Sequence, residues 1–434
     1  MLDKIVEILE KTNNVTRSSY FWNAASALIL ALQSPIILMV MTRTNGKTAA
    51  GIFSIGIAVG NLMMYVGQYG LRRFQSSDVN EQYSFRDYHG MRVISCIAMA
   101  AAVLVYCVYG SVFRGYSTEK FTVVFLIGML KLIQAYSDVY HGHMQQKGRL
   151  DVATRCSTFR YILEIAVYCG TLLIIPDLVL ATVICVAVSL VFMLLTSVNA
   201  GRHYCDTLRP AFSKDKIISL LINGFPLFLS MFLNVYTGNC PRYAIDACLT
   251  DDVQAVFSYI FMPAFVIQII AHFIFNPILT SYALLWNQND IRGYNKLMKY
   301  IRRQCIVVLG LLAAALLVAA TIGLPILSWL FGVDLSDYKA ELCIIMYGGA
   351  MLAYSVYFST IIAIIRAQNS LLVCYGIVSV LALLLSNRMV LAYGIWGASV
   401  LYAIIMTVLA GTLAIAAMIR LRAKGKDLRS AEAQ

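Results

Sequence analysis

An all-α, polytopic membrane fold of about twelve transmembrane helices follows from three features of the 434-residue sequence. First, 60% of the residues are hydrophobic and only 13% charged, with a mean hydropathy of +0.74. A soluble domain carries about 25% charged residues, so this chain cannot clothe a water-exposed surface of its size. Second, apolar runs long enough to cross a hydrocarbon core about 30 Å thick recur along the whole chain. They lie near 20–42, 49–71, 91–113, 120–142, 156–176, 178–198, 217–241, 253–278, 304–330, 341–365, 370–391 and 395–420. Third, Lys and Arg are sorted: one set of alternate loops plus both termini holds 25 of them, and the opposite loops hold seven. By the positive-inside rule both termini are expected in the cytoplasm.

The elements follow in order. Residues 1–19 form a cytoplasmic, interfacial segment, because Ile5, Val6, Ile8 and Leu9 make an apolar face opposite Asp3, Lys4 and Glu7. The first long run exceeds the h-region of a cleaved signal peptide and has no small-residue cleavage pattern, which makes it a helix. Residues 20–200 hold six spans, 201–216 a cytoplasmic linker, 217–420 six more, and 421–434 a basic tail. The breaks are short and carry Gly, Pro, Asn or Asp, as helix ends do. Laying 38–55 over 242–259 aligns Gly51-Ile52-Phe53-Ser54 with Ala255-Val256-Phe257-Ser258. That alignment fits a parallel repeat of two halves, or the chance similarity of two apolar segments.

Much chemistry is excluded. Eleven cysteines without a CxxC or Cys/His cluster give neither a disulfide scaffold nor a metal site. Gly46-Lys47-Thr48 resembles the end of a phosphate-binding loop, but the glycine required five residues earlier is Met41. No HExxH, GxSxG or post-strand GxGxxG occurs, so neither an enzyme nor a bound cofactor is expected. Any uphill work would draw on an H+ or Na+ gradient, on the membrane potential or on downstream consumption. Asn14-Val15-Thr16 matches a glycosylation acceptor but falls on the cytoplasmic side. The net charge of +12 reads as attraction to anionic inner-leaflet lipid, with no nucleic acid involved.

The informative residues are the ionisable ones inside spans, each costing a few kcal/mol unless partnered or facing a cavity. Lys131 and Asp138 share a face of the fourth span (i, i+7), and Arg160 and Glu164 share one of the fifth (i, i+4). Depth along antiparallel helices, at about 1.5 Å per residue, pairs Lys131 with Glu164 and Asp138 with Arg160. Such pairs serve either as the polar wall of a substrate cavity or as structural locks. In the seventh span, bracketed by Pro226 and Pro241 and loosened by Gly224 and Gly238, Asn234, Tyr236, Asn239, Arg242 and Asp246 gather toward the outer end. The planar fork of Arg242 suits a phosphate, although an interfacial arginine also snorkels to water. Gln268, His272 and Asn276 form a polar stripe on the eighth span, suited to substrate or to interhelical hydrogen bonds. The 26 tyrosines could stack on sugars, but most suit an aromatic belt or packing.

The sequence also resembles the polysaccharide transporter, or oligosaccharide-lipid flippase, family of the multidrug/oligosaccharidyl-lipid/polysaccharide exporter superfamily. The resemblance spans nearly the whole chain. Its carriers are GIFSIGIAVGNLMMYVGQYGLRRFQSSDVNEQYSF (51–85), DVYHGHMQQKGRLDVATR (138–155), NVYTGNCPRYAIDACLTDDVQAVFSYIFMPAFVIQ (234–268), PILSWLFGVDLSDY (325–338) and YGIWGASVLYAI (393–404). It implies two six-helix bundles in a V-shaped, MATE-like arrangement in the bacterial cytoplasmic (inner) membrane. The implied substrate is a short glycan on undecaprenyl diphosphate, turned from inner to outer leaflet for cell-surface polysaccharide synthesis, with glycosyltransferases and a glycan polymerase as partners. Cationic cavities in that family make Arg17, Arg72, Arg73, Lys131, Arg160 and Arg242 candidate diphosphate contacts. Arg17, Arg72 and Arg73 would guard the cytoplasmic mouth, or merely reflect inside-positive topology. Arg149, also near that mouth, reads with Asp151 as a gate or helix-capping pair.

Three other functions compete. A drug/cation antiporter of the same superfamily would use Asp138 or Glu164, a lipid II flippase shares the fold but usually has extra helices, and a glycan polymerase or ligase usually carries a large outer loop.

Overall fold

The computed structural model describes residues 2–78, 81–205, 207–288, 290–365 and 367–432, which are helical apart from short connections and contain no strand. The helices are α1 (Leu2–Glu10), α2 (Val15–Gln68), α3 (Leu71–Ser77), α4 (Phe85–Phe113), α5 (Thr118–Gln146), α6 (Leu150–Ile174), α7 (Leu178–Met193) and α8 (Asn199–Arg202). They continue with α9 (Lys214–Cys248), α10 (Asp251–Asn287), α11 (Ile291–Val318), α12 (Leu324–Phe331), α13 (Lys339–Ile364) and α14 (Gln368–Glu432). Eight helices of the described residues are long and apolar enough to cross a membrane.

Two of those eight are too long for one crossing. A straight 54-residue α2 would extend roughly 80 Å, far beyond a hydrocarbon core of about 30 Å. It breaks at Gly46, whose φ of 85° and ψ of −175° are not helical, and the contacts on either side show that the chain reverses there. Going up the first half, Trp22 meets Phe159, Gln33 meets Glu164 and the Asn45 amide donates to the Pro176 carbonyl. After Gly46, Phe53 packs back on Tyr168, Gly56 lies on Ile127 and Gly67 on Ala135. The first half therefore runs parallel to α6 and the second parallel to α5. The second long helix, α14, breaks at Gly394 (φ 57°, ψ −134°), and Cys374 and Thr412, on opposite sides of the break, lie near each other. The remaining apolar runs coincide with α10 and with α11 continued through a π-turn into α12.

Capping residues fix the helix starts. Asn14 accepts the Arg17 N–H at 2.9 Å as the cap of α2, which gives the Asn14-Val15-Thr16 triplet a structural role. Ser84 and Asp87 form a capping box at α4. Ser117 and Asp177 cap α5 and α7.

The chain divides into two compact units, Met1–Val235 and Tyr236–Gln434, the boundary falling inside α9. In the first unit, α1 docks on protein. Val6 and Leu9 join a core with Tyr88, Tyr140, Val152 and Ala200, while Ile8 faces outward; the Ile5 side chain lies outside the described residues. The carbonyls at the end of α1 lack helical partners. Arg155 donates to those of Leu9 and Lys11, both at 2.9 Å, and Arg149 to that of Glu10 at 2.8 Å. In the second unit, α10 meets α12 and α14 through aromatic pairs, Tyr259 stacking on Phe331 and Phe261 meeting Tyr402 edge-on. The aligned segments 38–55 and 242–259 break at matching positions, Gly46 in one and Thr250, the cap of α10, in the other.

Candidate functional site

A polar cavity of about 200 Å³ lies inside the first unit. Three helices each offer it one face at helical spacing: Asn23, Ser26 and Leu30 from the first half of α2, Gln134, Asp138 and His141 from α5, and Thr154, Ser157 and Tyr161 from α6. Gln68, Arg72 and Arg160 complete the wall. The sequence held this signal as i, i+3 or i+4, i+7 rows of neutral polar residues in apolar spans. Charge alone found only part of it.

Asp138 is the hub, but its partners are not the one expected. Its two oxygens take Arg72 Nη1 and Arg92 Nη2, each at 3.1 Å. Arg92, at the start of the 91–113 run, is fully buried, and its Nη1 also donates to the Gly67 carbonyl at 2.6 Å. Ser95 donates to the same carbonyl at 2.7 Å. The end of α2 is thus tied to α4 by two donors, one of them charged. Arg72, a third exposed, also reaches Gln145 at 3.2 Å.

Arg160 bonds to Ser137 at 2.9 Å and sits 3.6 Å from Glu164 on its own helix, rather than pairing with Asp138. Its Nη2 is buried and has no hydrogen-bond partner among the described residues. Glu164 accepts from Gln33 at 2.6 Å and from Ser189 at 2.5 Å. With those partners in place, no carboxylate lies within ion-pair distance of the buried Lys131 among the described residues. Depth along a helix does not fix which side of it a charge leaves from, nor that short neutral groups claim the carboxylate.

The mouth arginines separate. Arg72 lines the cavity, whereas Arg17 and Arg73 are exposed and outside its wall. Arg149 bonds to Asp151 at 3.0 Å and to the Glu10 carbonyl at the end of α1. In the second unit, Arg242 is buried, its guanidinium 4.8 Å from the Phe261 ring centroid and bonded to Asn239 at 3.2 Å, which removes the snorkelling alternative. Asp246 is buried too, and Asn234 is exposed. The side chains of Gln268, His272 and Asn276 lie outside the described residues. Among the described residues no three His, Cys, Asp or Glu gather as a metal site.

Long apolar helices around a charged, partly hollow interior define a multi-pass helical membrane protein. Neither the family models nor the curated proteins match the sequence, and its likenesses are to solved structures. The inward-facing conformation of a multidrug resistance MATE family transporter of the MOP superfamily matches with a TM-score of 0.66 at 14% identity, over 91% of this chain and 96% of that one. The outward-facing conformation of a multidrug resistance MATE family transporter of the MOP superfamily matches at 0.58 and 14%, over 96% and 98%. A MOP superfamily transporter from Pyrococcus furiosus Vc1 (DSM3638), for which a reverse polarity of the binding pocket suggests a different function, matches at 0.57 and 14%, over 96% and 98%. The protein has the MATE fold.

Proposed function

We propose that the protein is a transporter of the MATE fold that moves undecaprenyl-diphosphate-linked oligosaccharide from the inner to the outer leaflet of the bacterial cytoplasmic membrane by alternating access. The observation that carries this reading is the sign of the first unit's interior. Among the described residues Arg72, Arg92, Lys131 and Arg160 face two carboxylates, Asp138 and Glu164, and two nitrogens of Arg160, Nε and Nη2, have no hydrogen-bond partner. A diphosphate suits such a surface, since a guanidinium offers it paired, charge-assisted hydrogen bonds. The glycan and diphosphate cannot cross hydrocarbon unaided, because unpaired polar groups there cost several kcal/mol each. A polar route through protein, with the lipid tail left in the bilayer, removes most of that cost.

Within this reading Arg160 receives the anion through its Nη2, which has no hydrogen-bond partner among the described residues, while Ser137 and Glu164 hold the guanidinium in place. Arg72, shared between Asp138 and Gln145 and a third exposed, is the arginine able to turn toward a phosphate. Arg92 stays behind, fixed by Gly67, and keeps Asp138 neutralised when Arg72 leaves. An ion gradient or the membrane potential supplies direction, and glycosyltransferases and a polymerase supply and consume the glycan. The drug/cation antiporter fits less well, because both carboxylates are already engaged: Asp138 by two arginines, Glu164 by Gln33, Ser189 and Arg160.

The test is depletion in the native host. Lipid-linked oligosaccharide should build up in the inner leaflet and be relieved by the parent gene but not by Arg160→Gln. Unchanged outer-leaflet exposure after depletion, with no second flippase present, would refute the assignment.

A further inference from the structure

The second unit carries a different feature, an open groove of about 1,110 Å³ on α11 where that helix meets α13 and α14. Its rim is basic: Lys296, Lys299, Arg302 and Arg303 line it, and none pairs with a carboxylate among the described residues. All four side chains are exposed. Its floor is apolar, with Ile306 and Val307 continuing along α11 and Phe358 and Met418 contributed by the neighbouring helices. Spacing explains the layout. Lys296, Lys299, Arg303 and Val307 fall at i, i+3, i+7 and i+11, one face of the helix, and Arg302 and Ile306 follow beside it at i, i+4. Charge therefore passes into hydrocarbon-like surface along one strip about 16 Å long, at 1.5 Å per residue.

The groove opens to the bilayer, because Ile306 and, farther along, Leu309 and Leu317 are all more than half exposed. The cations sit just before the apolar run that starts near 304, at headgroup level. We propose that this groove is a binding site for an anionic glycerophospholipid of the inner leaflet, its phosphate on the four cations and an acyl chain along Ile306, Phe358 and Met418. Charge complementarity selects the headgroup, and a zwitterionic lipid of the same chains lacks the net charge that four unpaired cations attract. The inference stands apart from the transport substrate, since it rests on a separate surface and is read by binding alone.

The experiment is native mass spectrometry of the purified chain in detergent, titrated with dioleoylphosphatidylglycerol or dioleoylphosphatidylcholine. The glycerol lipid should bind at least about tenfold more tightly, at roughly fivefold per engaged cation before screening. The Lys296→Gln/Lys299→Gln/Arg302→Gln/Arg303→Gln variant should lose that preference. Ile306→Trp, which keeps every cation and obstructs the floor, should weaken binding of the same lipid severalfold. A control set, Lys11→Gln/Arg202→Gln/Arg209→Gln/Lys214→Gln in the first unit, should retain it. Equal losses in both charge sets would mean diffuse attraction and overturn the proposal, as would full binding by the α11 variant. Stoichiometric displacement by undecaprenyl diphosphate would overturn it too, by assigning the groove to the transported lipid.

Discussion

Asp138 shows why single charges inside a membrane are expensive to alter. It holds two arginines, and Arg92 is fully buried. In Asp138→Asn the Arg92 charge loses its counter-ion, a change worth about 3–5 kcal/mol when a buried pair is broken. Thermal unfolding in detergent should show a clear drop in melting temperature, and Asp138→Glu should recover part of it; an unshifted Asn variant would mean the bridge is dispensable. Arg160 behaves differently, since it lines the cavity and its buried Nη2 has no hydrogen-bond partner among the described residues. Arg160→Lys should keep the charge and fold but lose bidentate contact, lowering transport about tenfold while melting shifts little. Asp78, in the inner loop after α3, gives a pH handle. Partial burial would raise its pKa, but the backbone N–H groups of Tyr83 and Gln82 and the Tyr88 hydroxyl bind the carboxylate and bring it below its ordinary 3.8. Its contribution to stability is therefore complete above that ordinary value and lost as pH falls through the lowered one. Melting curves from pH 5 down to pH 3 should steepen for the parent and flatten for Asp78→Asn; parallel curves would contradict this.

Intramembrane charges were legible as residues but not as pairs. Lys131, Asp138, Arg160 and Glu164 stood out because ionisable groups are rare in spans. Their partners include two serines, Ser137 and Ser189, a glutamine, Gln33, and two arginines, Arg72 and Arg92, at or beyond the inner ends of the runs 49–71 and 91–113.

At the scale of elements, the breaks in the two longest helices carry the topology. Gly46 combines positive φ with extended ψ, a region that essentially only glycine occupies, and open space surrounds the position where a Cβ would stand. Gly46→Ala should therefore cost about 1–3 kcal/mol through backbone strain alone. A melting temperature equal to the parent's would show that the turn tolerates another conformation. The helix α1 is the opposite case: its amphipathic pattern was plain, but its docking was not, because the receiving surface comes from residues scattered over α4, α5, α6 and α8. The spans themselves were readable because a bilayer imposes one length on all of them. Helix ends and the π-turn between α11 and α12 have no such ruler.

For the whole molecule, the sorted charge is the feature that sequence and composition express together. The structure adds that some of the positive charge is interior, at Arg92 and Arg160, and that some forms a rim on α11. Reporter fusions at the two ends of the chain should both read as cytoplasmic; opposite locations would require an odd number of crossings and a different assignment of α2 or α14. The central claim, that a cationic interior carries a diphosphate-linked glycan across the membrane, is tested most directly by reconstitution. Proteoliposomes loaded in one leaflet with fluorescent undecaprenyl-diphosphate oligosaccharide should expose it on the other far faster than protein-free vesicles, with Arg160→Gln about tenfold slower than the parent. A parent protein no faster than empty vesicles, yet able to move an organic cation against a proton or sodium gradient, would contradict the account and favour the antiporter.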